Sequence, residues 1–156
     1  MTRILFVCLG NICRSPLAEA IFIHQIKEQN LQSDFQVASC GTANYHIGDT
    51  PDQRTIRNAL KNGVTIDHRG RQFGLSDFVD FDLILAMDQS NVNNIMCVSG
   101  ADNYVQKVKL MRTWDSINTG ADVPDPYYGN EKDFQEVFEI LNRSMRNLIV
   151  ELTVKK

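Results

Sequence analysis

Short apolar runs alternate along the chain with longer segments whose apolar residues recur every three or four positions. Continuous runs of β-branched and aromatic residues are typical of strands that are buried on both faces of a sheet. Strands are predicted at residues 4–8, 35–39, 83–87 and 105–110. The helical spacing predicts amphipathic helices between and after these strands. The predicted helices begin near residue 15, cover 51–62, extend from 89 to about 98, and occupy most of the chain from 131 onward.

Residues that favour helix N-termini precede several of these helices. Ser15 is expected to cap the first helix, Asp88 the third and Asn130 the last. The segment 111–130 is rich in glycine and proline and predicts a long loop between the fourth strand and the last helix.

The alternation of strands and helices predicts an α/β fold with a doubly wound parallel sheet and helices on both faces. We expect residues 1–156 to form a single domain. Ligands of such sheets bind beyond the carboxyl ends of the strands. The segment that follows the first strand is therefore the first candidate for a functional site.

The composition is that of an ordinary globular protein, and it narrows the range of partners. Of 156 residues, 43% are hydrophobic and 22% are charged, and the formal net charge is -3. The negative net charge argues against broad nucleic-acid binding. No apolar stretch approaches the length of a membrane helix, and Asn11 and Arg14 interrupt the only run that resembles a signal peptide. We therefore expect neither a nucleic-acid partner nor membrane attachment.

The four cysteines show neither a C-x-x-C pair nor the spacing of a zinc finger. They lie at Cys8, Cys13, Cys40 and Cys97. This pattern predicts free thiols in a reducing cytoplasm and no metal site. Cys40 and Cys97 are expected to be core residues, since an unpaired cysteine is most often buried.

Cys8 and Arg14 form the pattern C-x5-R between the first strand and the first helix. A loop of this length can turn several backbone N–H groups inward, and the helix N-terminus that follows favours an anion. Arginine adds a planar fork that grips two oxygens of a phosphate group. The sequence therefore predicts a phosphate-binding cradle, built from Leu9, Gly10, Asn11, Ile12, Cys13, Arg14 and Ser15.

The same surroundings favour the thiolate of Cys8, which is the nucleophilic form of cysteine. The Ser15 hydroxyl is close enough in sequence to reach back to this sulfur. A cysteine after a strand is also commonly a small core residue, but the glycine within the loop and the helix after it favour a catalytic role for Cys8.

Asp125 precedes Pro126 in the long loop, and this pair is a candidate second motif. Proline stiffens the loop and restricts the preceding residue to extended angles. Asp125 could protonate a leaving group above the cradle, which typically contributes ~10²- to 10⁴-fold to a rate. Asp-Pro is equally a common turn signal, so the local sequence leaves both interpretations open.

These segments resemble the low-molecular-weight protein tyrosine phosphatases. "VCLGNICRSPLAEA" (residues 7–20) is similar to the signature of that family, and "DPYYGN" (residues 125–130) is similar to its general-acid loop. Three further segments fit as well, "GTANYHIGDTPDQR", "FDLILAMDQSN" and "DFQEVFEIL", so the resemblance covers nearly the whole chain. It implies a four-stranded parallel sheet of order 2-1-3-4, and neither a metal nor an organic cofactor.

The resemblance also implies an activity, the hydrolysis of phosphotyrosine in proteins and of small aryl phosphates through a phosphocysteine intermediate. Cys8, Arg14 and Asp125 would be the catalytic residues, with phosphotyrosine-containing proteins as partners. The expected substrate walls are Ile12, Tyr45, Tyr127 and Tyr128.

Other implied roles concern the support of the loop and its oxidation. Asn11, Ser39 and His68 match positions that brace the loop by hydrogen bonds, with Ser15 beside the sulfur. Cys13 matches a cysteine that forms a reversible disulfide with the nucleophile, here Cys8. His24 and His46 are interpreted as structural or surface residues, and a monomer is favoured.

Three alternatives stay open at this stage. A phosphoarginine phosphatase is the strongest, but the resemblance implies threonine in such enzymes where this chain has Ile12. An arsenate reductase would need two further cysteines, and Cys40 and Cys97 are far apart in sequence. A phosphate-binding module without turnover would be expected to lack Cys8 or Asp125, and both are present.

Overall fold

Four parallel strands form the central sheet of the computed structural model, which describes residues 1–155. The strands are β1 (Thr2–Cys8), β2 (Phe35–Gly41), β3 (Leu83–Ala86) and β4 (Val108–Leu110). Their order is β2-β1-β3-β4, so the expected 2-1-3-4 arrangement is confirmed. β1 lies inside the sheet, with Cys8 paired to Gly41 of β2 and Val7 paired to Ala86 of β3. The last residue of β1 is therefore flanked by the carboxyl ends of two other strands.

Within residues 1–155, five α-helices pack around this sheet. They are α1 (Arg14–Glu28), α2 (Gln53–Lys61), α3 (Ser76–Asp80), α4 (Gln89–Met96) and α5 (Glu131–Val154). Short 3-10 segments cover Gln32–Asp34, Ala101–Lys107 and Met111–Trp114. Among the helices of residues 1–155, none combines the length and the apolar composition that a membrane span requires.

Alternate residues of β1 supply two separate hydrophobic cores, one on each face of the sheet. Ile4 and Phe6 pack with α1 and α5 on one face, and Leu5 and Val7 pack with α3 and α4 on the other. All four side chains are fully buried. Burial on both faces explains why the strand is a continuous apolar run and does not alternate.

The expected N-cap at Ser15 is wrong. α1 begins at Arg14, and Cys13 occupies the capping position without a side-chain hydrogen bond to the helix. The Ser15 hydroxyl instead lies between the sulfur of Cys8 and the side chain of Asn11. The caps at Asp88 and Asn130 are confirmed, and each forms a reciprocal capping box with the residue three positions on.

The fourth strand is much shorter than predicted. Residues Ala101–Lys107 form 3-10 turns, and only Val108–Leu110 are extended. Tyr104 stacks on Phe78 with ring centroids 5.1 Å apart, which draws this segment over α3. Helix α3 was not predicted, because five residues are too few to show a helical period.

The expectation that Cys40 and Cys97 are core residues holds for only one of them. Cys40 is fully buried in β2. Cys97 is exposed and occupies the C-cap position of α4. Its position beyond the buried face of the helix is the reason that it lies outside the core.

Candidate active site

The loop between β1 and α1 curls tightly around the sulfur of Cys8. Asn11 adopts a left-handed backbone conformation with φ of 58°, which asparagine tolerates better than most residues. Its backbone N–H donates to Cys8 Sγ at 3.2 Å. Ser15 Oγ lies 3.0 Å from the same sulfur. The thiol of Cys8 is therefore buried, held at the base of the loop, and contacted by two groups that can stabilise a thiolate.

The side chain of Asn11 fastens the loop to three other segments. Its Nδ2 donates to Ser15 Oγ at 2.8 Å and to Ser39 Oγ at 3.2 Å. Its Oδ1 accepts from His68 Nε2 at 2.7 Å and from the Arg71 backbone N–H at 3.1 Å. The four contacts satisfy this buried amide and join the loop to α1, to β2 and to the segment before α3.

Arg14 lies with its guanidinium buried beside the sulfur and is fixed from two sides. Nη1 donates to Asp88 Oδ2 at 2.7 Å and to the Val123 carbonyl at 2.9 Å, and Nη2 lies 3.7 Å from Asp125 Oδ2. Burial acts most strongly and lowers the pKa of Arg14, but Cys8, Asp88 and Asp125 together outweigh it, and the net direction is upward. The group therefore stays cationic and oriented.

A cleft of about 300 Å³ opens above the sulfur. Its lining includes Cys8, Leu9, Gly10, Ile12, Cys13, Arg14, Tyr45, His46, Asp125, Tyr127 and Tyr128. The floor holds the buried thiol and guanidinium, and the rim holds exposed aromatic rings. Tyr127 and Tyr128 meet edge to face with centroids 4.9 Å apart. The cleft is thus polar and cationic at its base and aromatic at its mouth.

Asp125 reaches the cleft from the loop before α5, and its side chain is 48% exposed. Its Oδ1 accepts the backbone N–H of Tyr127 at 3.1 Å. This hydrogen bond orients the carboxylate, and the other oxygen faces Arg14. The arrangement presents an acid or base group above the thiol.

Cys13 lines the same cleft, although its side chain is almost fully buried. Burial raises the pKa of its thiol to about 12, and a hydrogen bond with Thr55 opposes that shift only in part. Both Cys8 and Cys13 are free thiols in this structure. Within residues 1–155, no group of three or more histidine, cysteine, aspartate or glutamate residues is arranged to hold a metal.

Comparison with known proteins identifies the family of this site. A sequence profile described as low molecular weight phosphotyrosine protein phosphatase matches residues 3–156. The chain belongs to this family. The low molecular weight phosphotyrosine protein phosphatase of Saccharomyces cerevisiae is 41% identical over 137 residues, which cover 86% of this chain and 84% of the yeast protein.

A human relative and a solved structure agree with the family assignment. The low molecular weight phosphotyrosine protein phosphatase of Homo sapiens is 39% identical over 144 residues, which cover 92% of this chain and 90% of the human protein. A protein tyrosine phosphatase from Entamoeba histolytica, crystallised with Hepes in the active site, superposes with a TM-score of 0.93 at 38% identity over 99% of both chains.

The fold brings together every residue that the low molecular weight phosphatase motifs predicted for the site. The predicted phosphate-binding, catalytic and substrate-wall residues lie in the loop around Cys8 and around the cleft. The two remaining predicted residues, Ser39 and His68, support that loop because both form hydrogen bonds with Asn11. His68 also lies 3.5 Å from Glu19 Oε2, a partner that the motifs did not indicate.

Two residues of this phosphatase were not predicted as part of the site: His46 lines the cleft, and Asp88 contacts Arg14 beneath it. Asp88 was predicted only as a helix cap, yet it also holds Arg14. The signal was present, because Asp88 follows a strand whose carboxyl end is expected at the same sheet edge. The prediction of His46 as a structural or surface residue overlooked its position in the lining, where it bonds to Asp49 at 3.1 Å. A lone histidine in a loop carried no such signal.

Proposed function

We propose that this chain hydrolyses phosphotyrosine in proteins through a phosphocysteine formed on Cys8. The observation that carries the proposal is the convergence of three groups on one cleft: a buried thiol, a buried guanidinium and an exposed carboxylate. Nucleophile, anion-binding group and general acid are the parts that phosphoryl transfer requires.

In the first step, the Cys8 thiolate attacks phosphorus in line with the leaving oxygen. The S–P bond forms while the P–O bond to the tyrosine ring breaks, and Asp125 gives its proton to the departing phenolate oxygen. Arg14 stabilises the charge on the equatorial oxygens, together with the backbone N–H groups of residues 9–15. Asp88 and the Val123 carbonyl keep the guanidinium in place, since each accepts from Nη1.

In the second step, water attacks the phosphocysteine and Asp125 accepts a proton from it. The S–P bond breaks and inorganic phosphate leaves with the new oxygen. The sulfur departs as a thiolate, and both the Ser15 hydroxyl and the Asn11 backbone N–H lie within hydrogen-bonding distance of it. Stabilising the thiolate serves both steps, because the same anion attacks first and leaves afterwards.

The aromatic rim supports an aryl substrate. Tyr45, Tyr127 and Tyr128 offer flat apolar faces, and Ile12 adds a branched apolar side chain at the cleft. A phosphotyrosine ring would fill the space between them, whereas the guanidinium end of a phosphoarginine would need polar partners there. The same residues would admit small aryl phosphates.

The proposal extends to the setting in which the enzyme works. Residues 1–156 act as a monomeric single domain in the cytoplasm, on phosphotyrosine proteins, without cofactor, nucleic acid or membrane. Four free thiols support a reducing compartment. An oxidant such as a peroxide would convert the Cys8 thiolate to a sulfenic acid, and the Cys13 thiol would condense with it to a disulfide with release of water.

The test compares phosphotyrosine and phosphoarginine peptides as substrates of the native protein, Cys8→Ser and Cys97→Ser. Phosphate release from phosphotyrosine should disappear in Cys8→Ser and persist in the matched control, whose cysteine is exposed outside the cleft. Preference for phosphoarginine would overturn the substrate class while keeping the nucleophile. Phosphate binding without turnover of either peptide would reduce the protein to a binding module.

A further inference from the structure

We propose that Arg54 is a positioning residue for this reaction, because it couples the loop around Cys8 to the loop that carries Asp125. The inference rests on the proposed function, and it assigns a role to a side chain that is absent from the cleft lining. In this role Arg54 acts through other residues and touches no reacting atom.

The guanidinium of Arg54 is held rigidly by Asp52. Nε donates to Oδ1 at 3.0 Å and Nη2 donates to Oδ2 at 2.8 Å, which is the two-pronged pairing that arginine and a carboxylate favour. The Arg54 backbone N–H donates to the same carboxylate at 2.8 Å, so Asp52 also caps α2. These hydrogen bonds lower the pKa of Asp52. The pair therefore stays charged, and the plane of the guanidinium is fixed.

Two aromatic rings from different segments pack on this guanidinium. Its Cζ lies 5.4 Å from the ring centroid of Tyr127, in the loop that carries Asp125, and 4.7 Å from that of Phe134, in the first turn of α5. Both distances are within the range of cation–π attraction. Arg54 therefore fastens the Asp125 loop at its aromatic residue and at the start of the helix that follows.

The Asp52–Arg54 pair is also connected to the loop around Cys8 and, through Tyr127, to Asp125. The Asp52 backbone N–H donates to the Ile12 carbonyl, within the loop around Cys8, at 2.8 Å. At the other end the Tyr127 backbone N–H donates to Asp125 Oδ1 at 3.1 Å. A path of direct contacts thus leads from Ile12 through Asp52, Arg54 and Tyr127 to Asp125.

Asp125 has particular need of such support. Its side chain is about half exposed, and its other oxygen lies 3.7 Å from Arg14, beyond the length of a good hydrogen bond. A general acid must be held within hydrogen-bond reach of the leaving oxygen, so a loop that shifts costs catalysis even when the carboxylate is intact.

The dependence of kcat/KM on the leaving group distinguishes the positioning of Asp125 from a general destabilisation of the fold. Phenyl phosphate releases a phenolate of pKa about 10, as tyrosine does, and needs protonation. 2,4-Dinitrophenyl phosphate releases a far weaker base and does not. The value of kcat/KM reports the step in which the phenol leaves, so it is the quantity to compare.

The experiment measures kcat/KM for both esters in the native protein, Arg54→Met, Arg54→Lys and the matched control Arg57→Met. Arg57 is exposed on the same helix, one turn from the Asp52 pair. In Arg54→Met, kcat/KM should fall about tenfold with phenyl phosphate and less than about twofold with the dinitrophenyl ester. The tenfold loss is smaller than the ~10²- to 10⁴-fold of a complete general-acid contribution, because the carboxylate of Asp125 remains. Arg54→Lys should recover little, since an ammonium cannot pair with Asp52 as a planar fork. Arg57→Met should match the native protein on both.

A double-mutant cycle with Asp125→Asn supplies the second readout. If Arg54 acts through Asp125, adding Arg54→Met to the Asp125→Asn variant should lower kcat/KM for phenyl phosphate almost no further. Equal losses on both esters, or additive losses in the double variant, would overturn the role of Arg54 while native turnover upholds the proposed function. No turnover of either ester by the native protein would overturn the proposed function and this role with it. Inhibition by inorganic phosphate and thermal unfolding, measured on each variant, show whether the cradle and the fold are intact.

Discussion

Arg14 Nη1 and Asp88 Oδ2 lie 2.7 Å apart although 74 positions separate the two residues. β1 ends just before the loop that leads to Arg14, and β3 ends just before Asp88. The two strands are neighbours in the sheet, so their carboxyl ends bring both side chains to the same edge. The ion pair is largely buried, and the carboxylate also caps α4 through the Asn91 N–H at 2.8 Å.

Asp88→Asn should lower kcat/KM while leaving the fold intact. Asparagine retains a capping oxygen for α4, but it removes the charge that orients Arg14. A hydrogen bond to a charged group contributes about 1.5–3 kcal/mol, so we expect a loss of at least about tenfold with phenyl phosphate. Steady-state kinetics and thermal unfolding of the same samples measure the two effects. An unchanged kcat/KM would show that the Val123 carbonyl alone orients the guanidinium.

Substitution of Asn11 should separate backbone strain from lost hydrogen bonds. Asn11→Ala loses the side-chain hydrogen bonds and places alanine at a left-handed φ, whereas Asn11→Gly loses the bonds without the strain. We expect alanine to destabilise by about 1 kcal/mol more than glycine, on top of about 1–3 kcal/mol that both lose.

Asn30 provides the matched control for that comparison. It has the same φ of 58° and is exposed at the end of α1. Asn30→Ala should therefore cost about 1 kcal/mol and Asn30→Gly close to nothing. Urea unfolding of all four variants measures these values. If Asn11→Gly were as stable as the native protein, the hydrogen bonds of Asn11 would contribute nothing net to stability.

The ionisation of Asp115 should account for part of the change in the free energy of unfolding at acidic pH. It is buried and accepts from Arg143 at 2.7 Å and from Arg112 at 2.8 Å. The hydrogen bond from Arg143 is the largest influence and lowers the pKa of Asp115, while burial opposes it. A carboxyl group whose pKa is lower in the folded state stabilises above its unfolded pKa of about 3.9 and loses this contribution as pH falls toward the folded value.

Asp115→Asn should therefore be about 3 kcal/mol less stable at pH 7, because two arginines lose their buried partner. The difference from the native protein should shrink below about pH 4. Asp102→Asn, at an exposed position, is the control and should follow the native curve. Urea unfolding at several pH values measures both. A difference that stays constant down to pH 3 would show that the charge of Asp115 is not what stabilises.

Alkylation should distinguish Cys13 from the exposed Cys97. With a pKa near 12, the Cys13 thiol is almost entirely protonated at neutral pH, and its thiolate fraction rises about tenfold per pH unit. Iodoacetamide should label Cys97 rapidly at pH 7 and Cys13 slowly, and labelling of Cys13 should accelerate toward pH 9. Peptide mapping by mass spectrometry gives the two rates. Equal rates at pH 7 would contradict the burial of Cys13.

Most of the fold could be predicted from sequence, because most of its helices and strands have a local signal; the five-residue helix α3 has none. The run Ile4–Val7 faces two cores and so is apolar at every position, which is how it was recognised as a strand. The misplaced features are those that tertiary contacts override. Serine is a residue type that favours the N-cap position, but the Ser15 hydroxyl instead lies within hydrogen-bonding distance of Cys8 Sγ and accepts a hydrogen bond from Asn11 Nδ2. Residues 105–107 were predicted as the start of a strand, but they belong to the 3-10 turns of Ala101–Lys107, in which Tyr104 stacks on Phe78.

The candidate nucleophile and its cradle could be predicted from the sequence alone, because a strand, a short loop and a helix N-terminus suffice to place Cys8 beside Arg14. The residues that surround these two became known only from the folded chain. Asp88 reaches Arg14, and His68 reaches Asn11 from 57 positions away. Arg54 joins Tyr127 to Ile12 through Asp52 in the same manner. Parallel strands are connected by long crossovers, so the groups that meet at one sheet edge come from distant parts of the chain, and no local pattern records their contacts.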